Sequence, residues 1–174
     1  MRFFLGLIVG IIIVPLAVYG YFVSGMAPVG TAAKAMPFET GLAKKALKAR
    51  VEKEAPNHPP VSAGPETYAS GAQIYIENCA VCHGLPGQEQ TAIAYGMFPK
   101  PPKLLQGKGV TDDPPGETYW KVANGIRLTG MPAFNKKLSD TQIWQVTLLL
   151  ANADHLPPDM KQKLSSARQL NICQ

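Results

Sequence analysis

Residues 77–84 read ENCAVCHG, with two cysteines three positions apart, Cys79 and Cys82, and His83 directly after the second. Such a stretch serves a redox disulfide, half of a zinc site, or the covalent attachment of a haem, and each demands different company. A thioredoxin-like pair belongs at a helix N-terminus after a strand, where the helix dipole lowers the thiol pKa. Here the pair closes a predicted helix, and no alternating strand pattern surrounds it. A structural zinc site needs four convergent ligands. Only Cys173, His58 or His155 could complete one, and neighbouring Cys82 and His83 rarely reach one tetrahedral centre.

The haem reading uses all three residues at this spacing. The thiols of Cys79 and Cys82 would add across two vinyl groups as thioethers and leave His83 beneath the iron as its proximal ligand. A single CxxCH in the chain predicts a single haem c. A sixth ligand must come from elsewhere, and Met131 in NGIRLTGMPAF is the leading candidate, in a tight loop shaped by Gly130 and Pro132. Met97 in AYGMFPKPP is the competitor. Met26 and Met36 fall in a spacer, Met160 beyond the last predicted helix, and His155 would be a lower-potential alternative. The bland reading of any of these methionines is a gap-filler in a core.

Upstream, Phe3 to Val23 carries no charged side chain. As a helix it spans about 31 Å, enough to cross a bilayer core. It exceeds the roughly 7–15 apolar residues of a signal-peptide core, so it reads as a retained anchor. A cleaved leader is the alternative, with GTA ending at Ala32 as a small-residue site. Gly6 and Gly10 form a GxxxG pair, and Pro15 sits mid-span. The net charge of +5 does not predict a nucleic-acid partner. From Glu66 onward ten Lys and Arg face nine Asp and Glu, whereas between Ser24 and Pro65 the count is six to three. The excess lies beside the anchor, where it suits anionic lipid or an acidic partner. No basic stripe interleaved with aromatics is present.

The chain therefore divides into an anchor at 1–24, a linker at 25–64, a haem domain at 65–160 and a tail at 161–174. Within the linker, Phe38 to Ala55 reads as a Lys-rich helix with Leu42, Ala46, Leu47 and Val51 roughly on one side, and the four prolines of PNHPPVSAGP break it. Three helices are predicted in the domain. The first, from Pro65, runs into the cysteine pair. The second follows Pro114 and ends at Gly125. The third starts at Ser139, where SDTQ is a capping box, and ends before Pro157 and Pro158. A long Gly-, Pro- and Lys-rich loop separates the first two. Cys173 has no evident mate and receives no role.

GAQIYIENCAVCHG, PPKLL and YWKVANGIRLTGMPAFNKKLSDTQIWQVTLLLAN, in that order, resemble a class I cytochrome c domain of the bacterial monohaem type, over about Pro65 to Pro157. The resemblance implies an all-α fold whose first and last helices cross near Gly71, Tyr75 and Trp144. It implies a proline carbonyl that accepts from the other ring nitrogen of His83, a role that falls to Pro102, with Pro101 as the alternative. Leu104 would then pack on the haem face, and Trp120 and Arg127 would reach the propionates. The rim of the haem edge would include Ala80, Val81, Pro132 and Ala133.

With His83 and Met131 both on iron, no position is open to a small-molecule substrate. The expected function is one-electron transfer, not catalysis, at a potential raised by thioether ligation. The expected carrier is tethered by residues 3–23 to the bacterial inner membrane, with its haem domain on the periplasmic face. Its partners would be subunits of a membrane oxidoreductase or other redox proteins. The alternative is a haem enzyme or gas-binding domain with a labile sixth ligand.

Overall fold

The computed structural model describes residues 2–106 and 109–168, the side chain of Leu5 apart. These residues are all helix, turn and loop, with no strand among them. Contacts divide the chain between Thr40 and Gly41 into two units.

The first unit is built on α1, Arg2–Val23, 22 residues with no acidic side chain in its first turn. It is long and apolar enough to cross a membrane. Pro15 lies within it without ending it. Helix α2, Glu39–Glu54, begins at the end of this unit and lies in the second from Gly41 on, carrying i,i+4 ion pairs of Lys48 with Glu52 at 3.6 Å and Arg50 with Glu54 at 2.7 Å. The expected apolar stripe holds only at its C-terminal end: Val51 is buried, Leu47 half-buried and Leu42 exposed.

In the second unit, α3 spans Pro65–Asn78, with proline at its first position, where a missing N–H costs nothing. The cysteine pair does not simply end that helix. Cys79 interrupts it, and a separate turn, α4 at Ala80–His83, carries Cys82 and His83. Two further elements fall where sequence patterning predicts loop or tail. Helix α5, Ala92–Gly96, is a single turn capped by Thr91, whose hydroxyl accepts from the Ala94 N–H at 3.1 Å. Helix α8, Pro158–Ser166, starts on the proline that ends the preceding segment and buries Leu164. Pro158 thus acts as both stop and start.

Helix α6 is Pro115–Asn124. Helix α7, Asp140–Ala151, begins with the predicted capping box, Ser139 and Gln142 exchanging bonds at 2.8 and 3.3 Å, and a 3-10 turn at Ala153–His155 follows it. The core is the crossing of α3 with α7, with α6 packed on α7 and α8 on α3. Gly71 makes the crossing possible, because a Cβ there would lie 2.4 Å from the Gln145 carbonyl oxygen. Trp144 is buried and stacks on Tyr119 with ring centroids 4.3 Å apart. Such a pair contributes about 0.5–1.5 kcal/mol beyond its buried area. Tyr75, wholly buried, donates to the Gly84 carbonyl at 2.8 Å and so ties α3 to the end of α4.

Candidate haem site

Cys79 is buried between α3 and α4, while Cys82 and His83 are half-buried on α4. Burial, with the neighbouring Cys82, pushes the Cys79 thiol up to about 12, and burial raises Cys82 as well. These are neutral thiols, the opposite of the low-pKa thiolate that a disulfide oxidoreductase needs. Among the described residues no three His, Cys, Asp or Glu side chains gather as a metal site of their own. The donor set fits a haem c instead: two S–H groups that can add across carbon–carbon double bonds, followed by one neutral imidazole.

That imidazole is oriented by the backbone. His83 Nδ1 lies 2.8 Å from the Pro102 carbonyl oxygen. A carbonyl only accepts, so Nδ1 carries the proton and the Nε2 lone pair is free for iron. Burial lowers the His83 pKa, outweighing the opposing effect of the Pro102 bond. The ring therefore stays neutral, as a ligand must. Pro102 is exposed apart from that carbonyl contact, and Leu104, two residues on, packs against the cluster that holds Cys79 and Ala80.

Met131 packs against the same cluster. Its loop is folded back on the end of α6 by the backbone. Ile126 N–H donates to the Met131 carbonyl at 3.1 Å, Phe134 to Val122 at 3.1 Å and Asn135 to Ala123 at 3.2 Å. Gly125 allows the return: its φ is +66°, and a Cβ would lie 2.7 Å from the Ala133 nitrogen. Thr129 braces the turn, accepting from the Met131 N–H at 3.1 Å and donating to the Ile126 carbonyl at 2.7 Å.

Trp120 gives its indole N–H to Glu54 on α2 at 3.1 Å, a partner no local pattern announces. Arg127 is exposed on the Met131 loop, and His155 is exposed in the 3-10 turn. Met160 packs on the core from α8. Cys173 lies outside the described residues. Met97, the competing thioether, touches the Met131 loop: its Cε would be 1.8 Å from a Cβ on Gly130. Thr91 was not among the candidates, yet its hydroxyl donates to the Val81 carbonyl at 2.6 Å. Its N-cap position before AIAYG was the available signal.

Residues from 66 onward are similar to known proteins. Residues 66–149 match the family described as cytochrome C oxidase, cbb3-type, subunit III. The chain is 35% identical over 78 residues to cytochrome c6 of Limnospira maxima, covering 45% of this chain and 83% of that one. It is 33% identical over 82 residues to the cbb3-type cytochrome c oxidase subunit CcoP of Azospirillum brasilense, covering 47% of this chain and 27% of that one. A third relative, the quinohemoprotein alcohol dehydrogenase ADH IIB of Pseudomonas putida, is 28% identical over 98 residues, covering 55% of this chain and 12% of that one. The match thus spans about a quarter of the oxidase subunit and about an eighth of the dehydrogenase. The chain belongs to the cytochrome c family.

Proposed function

We propose that this cytochrome c is a membrane-tethered one-electron carrier, or the electron-transfer subunit of a respiratory oxidoreductase, with His83 and Met131 as axial ligands. The observation that carries the reading is the His83 Nδ1 to Pro102 carbonyl contact of 2.8 Å, which leaves Nε2 free, while Met131 packs against the cluster that holds Cys79. Cys79 and Cys82 would fasten one haem c, which supplies a reversible change between Fe(II) and Fe(III). Met131 would contribute a thioether, which favours the ferrous form and raises the potential. The apolar cluster behind Cys79, Leu104 and Met131 acts in the same direction, because a dry pocket disfavours the extra charge of the ferric form. The small rim of Ala80, Val81, Pro132 and Ala133 would let a partner approach closely in a brief contact.

Helix α1 supports tethering, and the likeness to an oxidase subunit supports redox-protein partners on the periplasmic face of a bacterial inner membrane. The test is a redox titration and ferric spectrum of the purified full chain and its Met131→Ala variant, with peroxidase-type staining of the denatured polypeptide. The expected result is staining that stays with the denatured chain, and in the variant a lower midpoint potential with an altered ferric spectrum. An unstained denatured chain would defeat the covalent-haem reading. An unaltered variant would defeat the Met131 assignment and move the sixth ligand to Met97 or His155.

A further inference from the structure

Helix α2 is fastened to the cytochrome domain by its C-terminal end. Val51 is buried, and Glu54 accepts the indole N–H of Trp120 on α6. Leu47, one turn before Val51 on the same side, is half-buried. The other side carries Leu42, Lys45, Ala46, Ala49 and Lys53, which recur at helical spacing and are all exposed.

That side is basic. Between Gly41 and Glu54 five cations, Lys44, Lys45, Lys48, Arg50 and Lys53, stand against two carboxylates. Both carboxylates are engaged, Glu52 with Lys48 at 3.6 Å and Glu54 with Arg50 at 2.7 Å. Lys44, Lys45 and Lys53 have no ion pair among the described residues. Lys44 and Lys45 lie too far from the last carbonyls of α2 to answer its dipole. Lys44 also repels Lys48 across one turn, which weakens a helix. Folding gains little from these charges, so their use lies outside the fold.

The chemistry of the face selects its occupant. A protein interface centres on large aromatic or arginine anchors seated in pockets. Here the lysines are separated by alanines and one leucine, too shallow for such a centre. A layer of anionic headgroups asks only for spaced ammonium groups and a thin apolar strip between them. Residues 24–38 alone connect α1 to α2. Fully extended they reach at most about 50 Å, so an α1 set in a bilayer keeps the face at a high effective concentration of lipid.

We propose that the Leu42, Lys45, Ala46, Ala49 and Lys53 face of α2 docks on the anionic headgroups of the membrane that α1 spans. This rests on the tethered reading above. Because the other end of α2 is bonded to α6, docking also fixes the tilt of the cytochrome domain and the direction in which its haem edge is presented. The apolar strip is narrow, so charge holds the contact and salt releases it.

The test uses the full-length, haem-loaded protein with a nitroxide on Ala46→Cys in a Cys173→Ser background. It is placed in nanodiscs of phosphatidylcholine alone, or of phosphatidylcholine with an equal share of phosphatidylglycerol. Collision of the nitroxide with a neutral aqueous nickel chelate reports whether the face is covered. With phosphatidylglycerol the collision rate is expected to fall at least threefold. Salt at about 1 M should restore it, because charges are then screened within about 3 Å. Linear dichroism of the haem in aligned multilayers should at least double with phosphatidylglycerol. A Lys45→Glu/Lys53→Glu variant should lose both effects and Lys45→Arg/Lys53→Arg keep them, with spectrum and midpoint potential unchanged in each. Equal collision rates in the two lipids would overturn the dock, as would protection that the glutamate variant retains. Protection with unchanged dichroism would overturn the fixed tilt. Protection that appears only on adding more of the chain, or a soluble acidic redox protein, would make the occupant a protein and overturn the lipid. Release of the wild-type chain from its bilayer by an alkaline wash would instead defeat the tethered reading.

Discussion

Thr147 lies wholly inside the core on α7, and its hydroxyl has no hydrogen-bond partner in the structure. A buried, unmet hydroxyl costs about 1–3 kcal/mol, and a methyl of the same shape removes that cost. Thr147→Val is therefore expected to raise unfolding stability by about 1 kcal/mol, measured by denaturant unfolding of the haem-bound protein. A loss of stability would mean that the hydroxyl gains a partner once haem is in place. Tyr119 is a second residue with a readable consequence. Burial, and then its hydrogen bond to the Asp140 carboxylate, raise it to about 12 from the usual 10. The folded state thus holds a proton that the unfolded chain releases first. Its stabilising effect is complete below pH 10 and is lost as the pH rises to about 12. Tyr119→Phe should flatten the fall in thermal midpoint across that window, and an unaltered alkaline profile would show that the bond is not formed in solution. At this scale Cys79, Cys82, His83 and Met131 could be read as candidates because their chemistry is local: a spacing, a neighbour, a glycine-proline loop. Thr91 and the contact of Met97 with Gly130 could not, because what matters there is which distant backbone the side chain touches.

Among the elements, α3, α6 and α7 follow from caps and prolines that act within a turn. Ser139 and Gln142 delimit α7 just as their spacing predicts. Helix α5 escaped because one turn leaves no periodicity to detect. Helix α8 escaped because Pro157 and Pro158 read as an ending, although proline also suits a first helical position. The crossing of α3 and α7 depends on a single missing methyl. A Cβ at Gly71 would meet backbone, the Gln145 oxygen at 2.4 Å and carbon at 2.8 Å, which cannot step aside as a side chain can. Gly71→Ala should therefore destabilise by about 1–3 kcal/mol, the ordinary range for overpacking. At Gly130 the obstacle is only the Met97 methyl, the mobile end of a flexible side chain. Gly130→Ala should cost less than Gly71→Ala in the same denaturant series, while disturbing the ferric spectrum more, since it acts on the loop of Met131. The reverse ranking in stability would show that the helices separate more easily than the loop shifts.

At the scale of the whole molecule, the basic helix ahead of the cytochrome domain is not a passive spacer throughout. Val51 is 1% exposed, Trp120 donates to Glu54 at 3.1 Å, and Gly116 approaches the Pro56 carbonyl so closely that a Cβ would fall 1.8 Å from its oxygen. Residues 51–56 therefore complete the surface of α6, although a charged, proline-ended segment gives no hint of it in sequence. Fully burying one valine contributes about 1.5–3 kcal/mol, and the indole hydrogen bond adds about 1 kcal/mol. Part of this is offset by the entropy of ordering α2. A haem-loaded fragment starting at Gly41 should thus be more stable than one starting at Pro65 by about 2 kcal/mol, a thermal midpoint several degrees higher. Trp120→Phe in the longer fragment should remove less than half of that difference, because Val51 stays covered. Equal midpoints for the two fragments would return residues 41–64 to the role of a solvated linker. A difference would make the end of α2 part of the cytochrome, so that whatever α2 touches also sets how the redox site is presented.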